Sequence, residues 1–328
     1  MIEMRYRVAI GLGLIFMILF YLSCDQSSTE PGKNETPPDS SQMLREVMAE
    51  PAVCAECHPN HVQEWQQSMH AYAITDPIFL VLNNIANQEF DQFCTKCHSP
   101  MGSLLGETSQ GFNLEELSPL AKNSVHCDVC HTINLDKTEP GLGATAFHLD
   151  RIRRGPIENP VTNSFHQSEF DNTYNFSEFC NPCHNVKSPQ FPLFLELTGT
   201  EWNNSPYAAM GVECQTCHMP SYQGQAAVNG PERTVHHHTF VGVDYPLIDF
   251  PGKSQSILRV QELLQNSVTM QVSAPQQITA GDSFTISVTI KNDKTGHNIP
   301  TGTIFERQMW VEVTLSDPLT GTVYFRTG

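Results

Sequence analysis

The chain has 328 residues, a formal net charge of −17, and 16% charged against 39% hydrophobic residues. This acidic balance argues against nucleic acid as a partner and favours basic partners or cationic surfaces. The length is sufficient for two domains after removal of a leader.

The first 23 residues have the pattern of a signal peptide. Arg5 and Arg7 precede an apolar run of 15 residues, Val8 to Leu22, which is shorter than the roughly 20 residues of a bilayer span. Cys24 stands where a bacterial lipoprotein is cleaved and acylated, so residues 24–50 are predicted to be a lipid-anchored flexible linker ending in a short helix. A plain signal peptide and an uncleaved anchor are the alternatives. Each of them exports the chain, and we expect it on the periplasmic side of a membrane, inner or outer.

Five C-x-x-C-H motifs follow along the chain. Two cysteines three positions apart lie on one side of a helical turn, so both sulfurs can reach one face of a flat ring, and the next histidine can ligate a metal at its centre. This pattern is that of covalent haem c, with two thioethers and a proximal iron ligand. The motifs are Cys54, Cys57 and His58; Cys94, Cys97 and His98; Cys127, Cys130 and His131; Cys180, Cys183 and His184; and Cys214, Cys217 and His218.

Zinc and disulfides are the alternative interpretations of these cysteines. Ten of the 11 cysteines lie in C-x-x-C pairs, and a histidine follows every pair. Tetrahedral zinc would need pairs to combine two by two, and neither zinc nor a redox disulfide requires that histidine. We therefore predict five covalent haem c groups with their iron, in a mainly α-helical and irregular domain over residues 51–252. Haem would supply much of its apolar core, and residues 133–175 are expected to be mostly loop.

The spacing of apolar residues along the sequence changes near the end of the chain. Residues 254–267 carry apolar side chains at Ile257, Val260 and Leu264, which predicts one amphipathic helix. Apolar and polar residues then alternate, which predicts about four antiparallel strands. Residues 253–328 are thus expected to be a linker helix and a small all-β domain, β-sandwich-like or immunoglobulin-like. Such a sandwich needs about seven strands, so either the chain is a fragment, which we favour, or a partner completes the sheet.

Nine histidines lie outside the motifs and are candidates for the second axial position of the irons. Several segments around them form recognisable patterns. They are Trp65-x-x-Ser68-x-His70-Ala71, Val125-His126-Cys127-Asp128-Val129-Cys130-His131, Gly155-Pro156 followed by His166, Glu201-Trp202-x-x-Ser205-Pro206-Tyr207, Cys214-Gln215-Thr216-Cys217-His218-Met219-Pro220, His238-Thr239-Phe240-Val241-Gly242 and Gly296-His297-Asn298-Ile299-Pro300-Thr301-Gly302.

Together these segments resemble a large family of bacterial multihaem cytochromes c, over most of residues 51–328. The resemblance implies distal iron ligands at His70, His126, His166, His238 and His297, without saying which serves which haem. His236 competes with His238. His126 directly precedes Cys127, so its ring is too constrained to reach the haem of its own motif and is expected to point toward a neighbouring one. His297 as a ligand would attach the β domain to the haem domain.

These features predict a membrane-tethered pentahaem cytochrome that relays electrons from a quinol-oxidising membrane module to a soluble or outer-membrane acceptor. Bis-histidine ligation gives low potentials. The alternative is a multihaem reductase of nitrite, hydroxylamine or an oxidised sulfur compound, with one five-coordinate iron. A C-x-x-C-K motif, which often marks such an iron, is absent. No catalytic residue is assigned, and an electron carrier is favoured over an enzyme. A third hypothesis is a subunit of a haem filament that accepts a neighbour's strand.

Overall fold

The computed structural model describes residues 40–188, 194–279 and 281–328, without the side chains of residues 87–91. The predicted signal peptide and the lipidation site at Cys24 lie outside these residues. Within the described ranges, no helix is long and apolar enough to cross a membrane.

Most helices are short, and several begin with a proline in the first turn, where its missing N–H costs nothing. Serine side chains cap others: the Ser68 and Ser118 hydroxyls accept from the amides of Ala71 and Ala121. The helices are α1 Ser40–Val47, α2 Pro51–Cys54, α3 Pro59–Gln66, α4 Met69–Tyr72, α5 Pro77–Phe90, α6 Thr95–His98, α7 Pro100–Leu104, α8 Pro119–Lys122, α9 Cys127–His131, α10 Asn181–His184, α11 Thr198–Asn203, α12 Pro206–Ala209, α13 Cys214–His218 and α14 Lys253–Gln265. Single 3₁₀ turns lie at Asp91–Phe93, Leu114–Glu116, Asn172–Asn175, Ser177–Cys180 and Ile304–Glu306.

Each C-x-x-C-H motif lies on a helical turn, as its spacing predicts. In the first motif the His58 amide donates to the Cys54 carbonyl at 2.8 Å, which closes the turn. In the second motif the same bond joins His98 to Cys94 at 3.2 Å. The other motifs lie on α9, α10 and α13.

The strands form four two-stranded sheets among the described residues. They are β1 Ile152–Gly155 and β2 Gln167–Phe170, β3 Ser221–Gln225 and β4 Glu232–His236, β5 Thr269–Ser273 and β6 Ser287–Lys291, and β7 Val313–Ser316 and β8 Val323–Thr327. The first pair is parallel, with Ile152 beside Gln167, and the other three are antiparallel. The expectation that residues 133–175 are mostly loop missed the parallel pair.

The end of the chain agrees with the predicted pattern in part. Helix α14 and four antiparallel strands appear at the expected positions. The strands form two separate hairpins in the part of the chain that is described, so an immunoglobulin-like sandwich is not confirmed. The domain boundary near residue 252 remains a prediction.

In the part of the chain that the structure describes, the core consists of three small apolar clusters rather than one large one. The largest surrounds Leu44, Met101 and Leu120, and the others surround Ile74 and Trp65. A buried ion pair at 2.5 Å joins Arg153 to Asp128, whose carboxylate also accepts from the Ala49 amide. This pair links the end of α1 to the third motif helix.

Candidate haem-binding cavity

One continuous cavity of about 2620 Å³ is lined by all ten motif cysteines and all five motif histidines. Ordinary ligand pockets have volumes of about 300–1,000 Å³. The five predicted distal histidines also line the cavity. It therefore unites the predicted site residues, which we number as sites 1 to 5 in the order of the motifs.

Four of the motif histidines are oriented by backbone carbonyls. The Nδ1 atoms of His58, His131 and His218 lie 2.6, 2.7 and 2.6 Å from the carbonyl oxygens of Ala226, Arg154 and Val241. His98 Nδ1 lies 3.2 Å from the Ala73 carbonyl. A carbonyl can only accept, so Nδ1 carries the proton in each ring and the Nε2 lone pair is available to a metal.

The fifth motif histidine has a different partner. His184 Nδ1 faces the Glu196 carboxylate, with 3.7 Å between Nδ1 and Oε2. That oxygen is buried and makes no hydrogen bond among the described residues. Burial raises the pKa of Glu196 to about 7, and the nearby Arg307 guanidinium opposes the shift.

Four motif histidines have a second imidazole at the spacing of axial ligands. Metal–imidazole bonds are about 2 Å long, so two rings bound through Nε2 to one iron have centres roughly 6 Å apart. The ring centres of His58 and His166, His131 and His238, His70 and His184, and His218 and His297 are 6.3, 6.5, 6.2 and 6.3 Å apart.

Three of these distal rings also have the tautomer that a ligand needs. The Nδ1 atoms of His166, His238 and His297 lie 3.0, 2.8 and 2.8 Å from the carbonyls of Gln167, His236 and Asn298. Burial lowers the pKa of His238 to about 3 and has the same effect on His70, so both rings are neutral. The Nδ1–H group of His236 donates to the Met219 carbonyl at 2.6 Å. Of these two competing histidines, His238 is the one that faces a motif histidine, His131.

Site 2 differs from the other sites because its motif histidine, His98, faces no second imidazole among the described residues. His126 is the predicted distal ligand that faces no motif histidine there. Among the described residues, the ring that contacts His98 is Phe79, stacked at 4.0 Å, and no second imidazole faces His98 at ligand spacing. His126 is almost fully buried with both ring nitrogens unpaired, and no ring contact joins it to a motif histidine in the described structure. Its role as a distal ligand therefore stays a prediction.

Secondary structure explains how residues distant in the sequence meet. The β3–β4 hairpin presents the Ala226 carbonyl to His58 at its tip, and its end supplies His238 to site 3. The parallel β1–β2 pair presents the Arg154 carbonyl to His131, and His166 at the start of β2 reaches site 1.

The loop of residues 293–302 brings His297 to site 5. Glu201 on α11 accepts from the Asn298 amide at 3.2 Å and from the Thr301 hydroxyl at 2.6 Å. Tyr207 donates to the Asp293 carbonyl at 3.0 Å. The Glu201-Trp202 and Gly296–Gly302 segments therefore pack on each other.

The motif cysteines also show which sites adjoin. The side chains of Cys54 and Cys127, of Cys97 and Cys183, and of Cys180 and Cys214 are neighbours, and Cys130 and Cys183 are close enough to influence each other electrostatically. Site 1 thus adjoins site 3, and site 4 adjoins sites 2, 3 and 5. Site 4 is the junction of the arrangement.

Sequence reasoning did not identify Glu196 or Asn83. Asn83 on α5 is 3% exposed, its Oδ1 has no hydrogen-bond partner among the described residues, and it lines the cavity one helical turn after Phe79. Neither residue lies in a motif, so only the fold reveals them.

Two comparisons with known proteins bear on this site. A model of the family "Cytochrome c554 and c-prime" matches residues 53–132, which include the first three motifs. The fold is similar to that of a penta-heme cytochrome c552 from Thermochromatium tepidum, with a TM-score of 0.57 and 21% identity over 85% of this chain and 73% of that one. No curated protein matches the sequence.

The motifs, the cavity and these two matches support assignment to the multihaem cytochromes c, as the resemblance in the sequence predicted. The motif residues and the cavity that they line fit covalently bound haem c.

Proposed function

We propose that the protein is a pentahaem cytochrome c that relays electrons. The four imidazole pairs at 6.2–6.5 Å are the observation that carries this proposal. Two histidines on one iron leave no position for a substrate, so such a site passes electrons. Haem, once bound, supplies the redox chemistry.

The chain's own contribution is to orient the ligands and to set the distances between sites. Carbonyl partners fix the tautomer of four motif histidines, and burial keeps the His70 and His238 rings neutral. The neighbouring cysteines would hold the haems of adjoining sites close to one another, which favours rapid transfer. The formal net charge of −17 would steer a basic partner to the surface, with a rate that falls as salt increases.

We further propose a location on the periplasmic side of a membrane, with a lipid on Cys24, a quinol-oxidising membrane module as donor and a soluble or outer-membrane protein as acceptor. The leader sequence supports export, and the acidic charge supports a basic partner. Labelling with a radioactive fatty acid, in the wild type and in Cys24→Ala, tests the anchor. Incorporation lost in the variant is the expected result, and equal incorporation in both contradicts it.

The relay is tested with purified holoprotein. Mass spectrometry should find five haems attached, and low-temperature electron paramagnetic resonance of the oxidised protein should show at least four low-spin ferric irons, those of sites 1, 3, 4 and 5. Fewer low-spin irons would contradict the assigned pairs. A chain with no attached haem would contradict the function itself.

A reductase is the second candidate, and site 2 is the observation that favours it. His98 faces no second imidazole among the described residues, and the buried, unpaired Asn83 lines the same cavity. An iron held by His98 alone would keep a position for a small polar substrate, to which the Asn83 amide could hydrogen-bond.

Carbon monoxide titration of the reduced protein separates the two candidates. One molecule bound per chain, with one high-spin ferric signal, would establish an open site 2, and turnover of nitrite or hydroxylamine would then establish the reductase. No binding and five low-spin irons would contradict it and would make His126 the ligand to test next, through His126→Ala.

A further inference from the structure

Glu196 distinguishes site 4 from the other four sites. At sites 1, 2, 3 and 5 the motif histidine pairs with a backbone carbonyl at 2.6–3.2 Å. At site 4 the carboxylate of Glu196 takes that place, 3.7 Å from His184 Nδ1. Because Oε2 is buried without another partner among the described residues, a small rotation toward the imidazole N–H would satisfy both groups.

We propose that Glu196 is a positioning residue that lowers the reduction potential of the haem at site 4, the junction of the relay proposed above. A carboxylate accepting from Nδ1–H makes the imidazole a stronger electron donor to the metal than a carbonyl does. Its negative charge also favours the ferric over the ferrous state in a cavity of low dielectric. Both effects lower the potential, and the axial ligand is the main means by which a protein tunes haem.

The position of site 4 gives this tuning a consequence for the whole relay. Its cysteines adjoin those of sites 2, 3 and 5, so electrons moving between these sites pass the junction. A junction of low potential is the least favourable place for an electron to rest. Electrons would therefore reside on the outer sites and occupy site 4 only briefly, so that site 4 acts as a bridge.

Arg307, in the C-terminal region, is close enough to Glu196 to influence it electrostatically. Its guanidinium opposes the rise that burial causes in the pKa of Glu196, and it is itself paired with Asp244 at 2.6 and 2.7 Å. Glu306 is a second carboxylate near Glu196, and no ion pair joins it to His184 in the described structure. Glu306→Gln is therefore a matched control, because this substitution removes a charge near Glu196 without changing the partner of His184.

The test is a spectroelectrochemical titration of the holoprotein at pH 9, comparing the wild type with Glu196→Gln, Glu196→Asp and Glu306→Gln. Glu196→Gln should raise the potential of one haem so that its equilibrium constant for reduction increases at least tenfold, which is 59 mV for one electron. Glu196→Asp should lie closer to the wild type, and Glu306→Gln should leave the five potentials unchanged. An unchanged Glu196→Gln titration, or an equal shift in Glu306→Gln, would overturn the proposal.

His70→Met identifies the haem whose reduction potential shifts. This substitution exchanges the proposed distal ligand of site 4 and should raise the potential of the same haem. If Glu196→Gln and His70→Met shift different haems, the proposal is wrong although the relay stands. If His70→Met shifts none, the pairing of His70 with His184 is wrong, and this failure belongs to the proposed function. Electron paramagnetic resonance of Glu196→Gln should keep the low-spin signal of site 4, which excludes loss of the ligand as the cause of a shift.

Discussion

Gly143 shows how one backbone conformation can set the distance between two haem sites. Its amide donates to the Pro182 carbonyl in the fourth motif, and the next amide, of Ala144, donates to the Lys96 carbonyl in the second. Its φ is +83°, and an added Cβ would lie 2.8 Å from the backbone carbonyl atoms of Lys96. Only glycine permits both the conformation and the close approach.

We expect Gly143→Ala to cost about 3 kcal/mol or more in the free energy of unfolding, because the clash adds to backbone strain of about 1–2 kcal/mol. Gly111→Ala is the matched control: φ is +76° there, and an added Cβ meets nothing within 4 Å. It should cost the strain alone. Denaturant unfolding of the two holoproteins, followed by haem absorbance, measures both values, and equal costs would contradict the role of the close approach.

His126 gives a prediction for pH. Burial lowers its pKa to about 4 in the folded chain, against an ordinary value of 6.5. The unfolded state therefore binds more protons between these values, and stability falls as the pH decreases from 6.5 toward 4. Between pH 7 and pH 5 the loss from this group is about 2 kcal/mol.

His126→Leu should abolish this part of the pH dependence, which denaturant titrations of both proteins at pH 7 and pH 5 would reveal. The same loss of stability in the variant as in the wild type would show that His126 does not titrate in this range. Ligation of iron by His126 is one way to produce that result.

At the residue scale, a local spacing defines each motif, so the ten cysteines and five motif histidines that line the cavity could be named from the sequence. Their role in haem attachment stays a prediction, and the partners of the histidines could not be named in this way. The choice between His236 and His238 depends on the register of the β3–β4 hairpin, which the sequence leaves open. Glu196 depends on a chain segment that precedes α11 and carries no local pattern.

At the scale of elements, the attachment of the 293–302 loop to α11 holds His297 opposite His218, with 6.3 Å between the ring centres. Glu201 makes two hydrogen bonds to the loop, one of them to the residue after His297. Thr198 adds a third, to Thr301 at 2.8 Å. The sequence indicated the loop as a signature, and the fold adds the reason for its pairing with the Glu201-Trp202 segment.

Glu201→Ala should therefore weaken the His218–Fe–His297 ligation, since about 1–3 kcal/mol of hydrogen bonding to the loop is lost. Electron paramagnetic resonance should show added high-spin iron and a matching decrease in low-spin iron. Glu262→Ala, at an exposed glutamate on α14, is the control and should leave the spectrum unchanged. An unchanged spectrum in Glu201→Ala would mean that the ligand bond alone holds the loop.

The prediction of helices and strands succeeded where a periodic segment is long and failed where it is short. Helix α14 spans Lys253–Gln265, close to the predicted range, because three apolar residues recur on one face. The β1 and β2 strands have four residues each, too few for a period to appear. The open question of an immunoglobulin-like domain has the same origin, since hairpins alone do not specify how sheets pack.

At the scale of the whole molecule, the cavity is the dominant feature. It has a volume of about 2620 Å³, whereas the apolar core of the described residues is divided into three small clusters that surround Leu44, Ile74 and Trp65. Small cores stabilise a fold weakly, and the conformational entropy of the chain opposes them. We therefore expect bound haem and its iron–histidine bonds to supply much of the free energy of folding.

The chain produced without haem attachment should therefore have no cooperative unfolding transition. Its helices are mostly one or two turns long, and helices of this length are not stable without tertiary packing. Circular dichroism during thermal unfolding and limited proteolysis would compare this chain with the haem-bearing protein produced in a host that attaches haem. The haem-free chain should be cleaved throughout residues 51–252, while the holoprotein resists. A sharp transition in the haem-free chain would instead show that the three clusters suffice, and the distances between histidine rings would then be a property of the polypeptide alone.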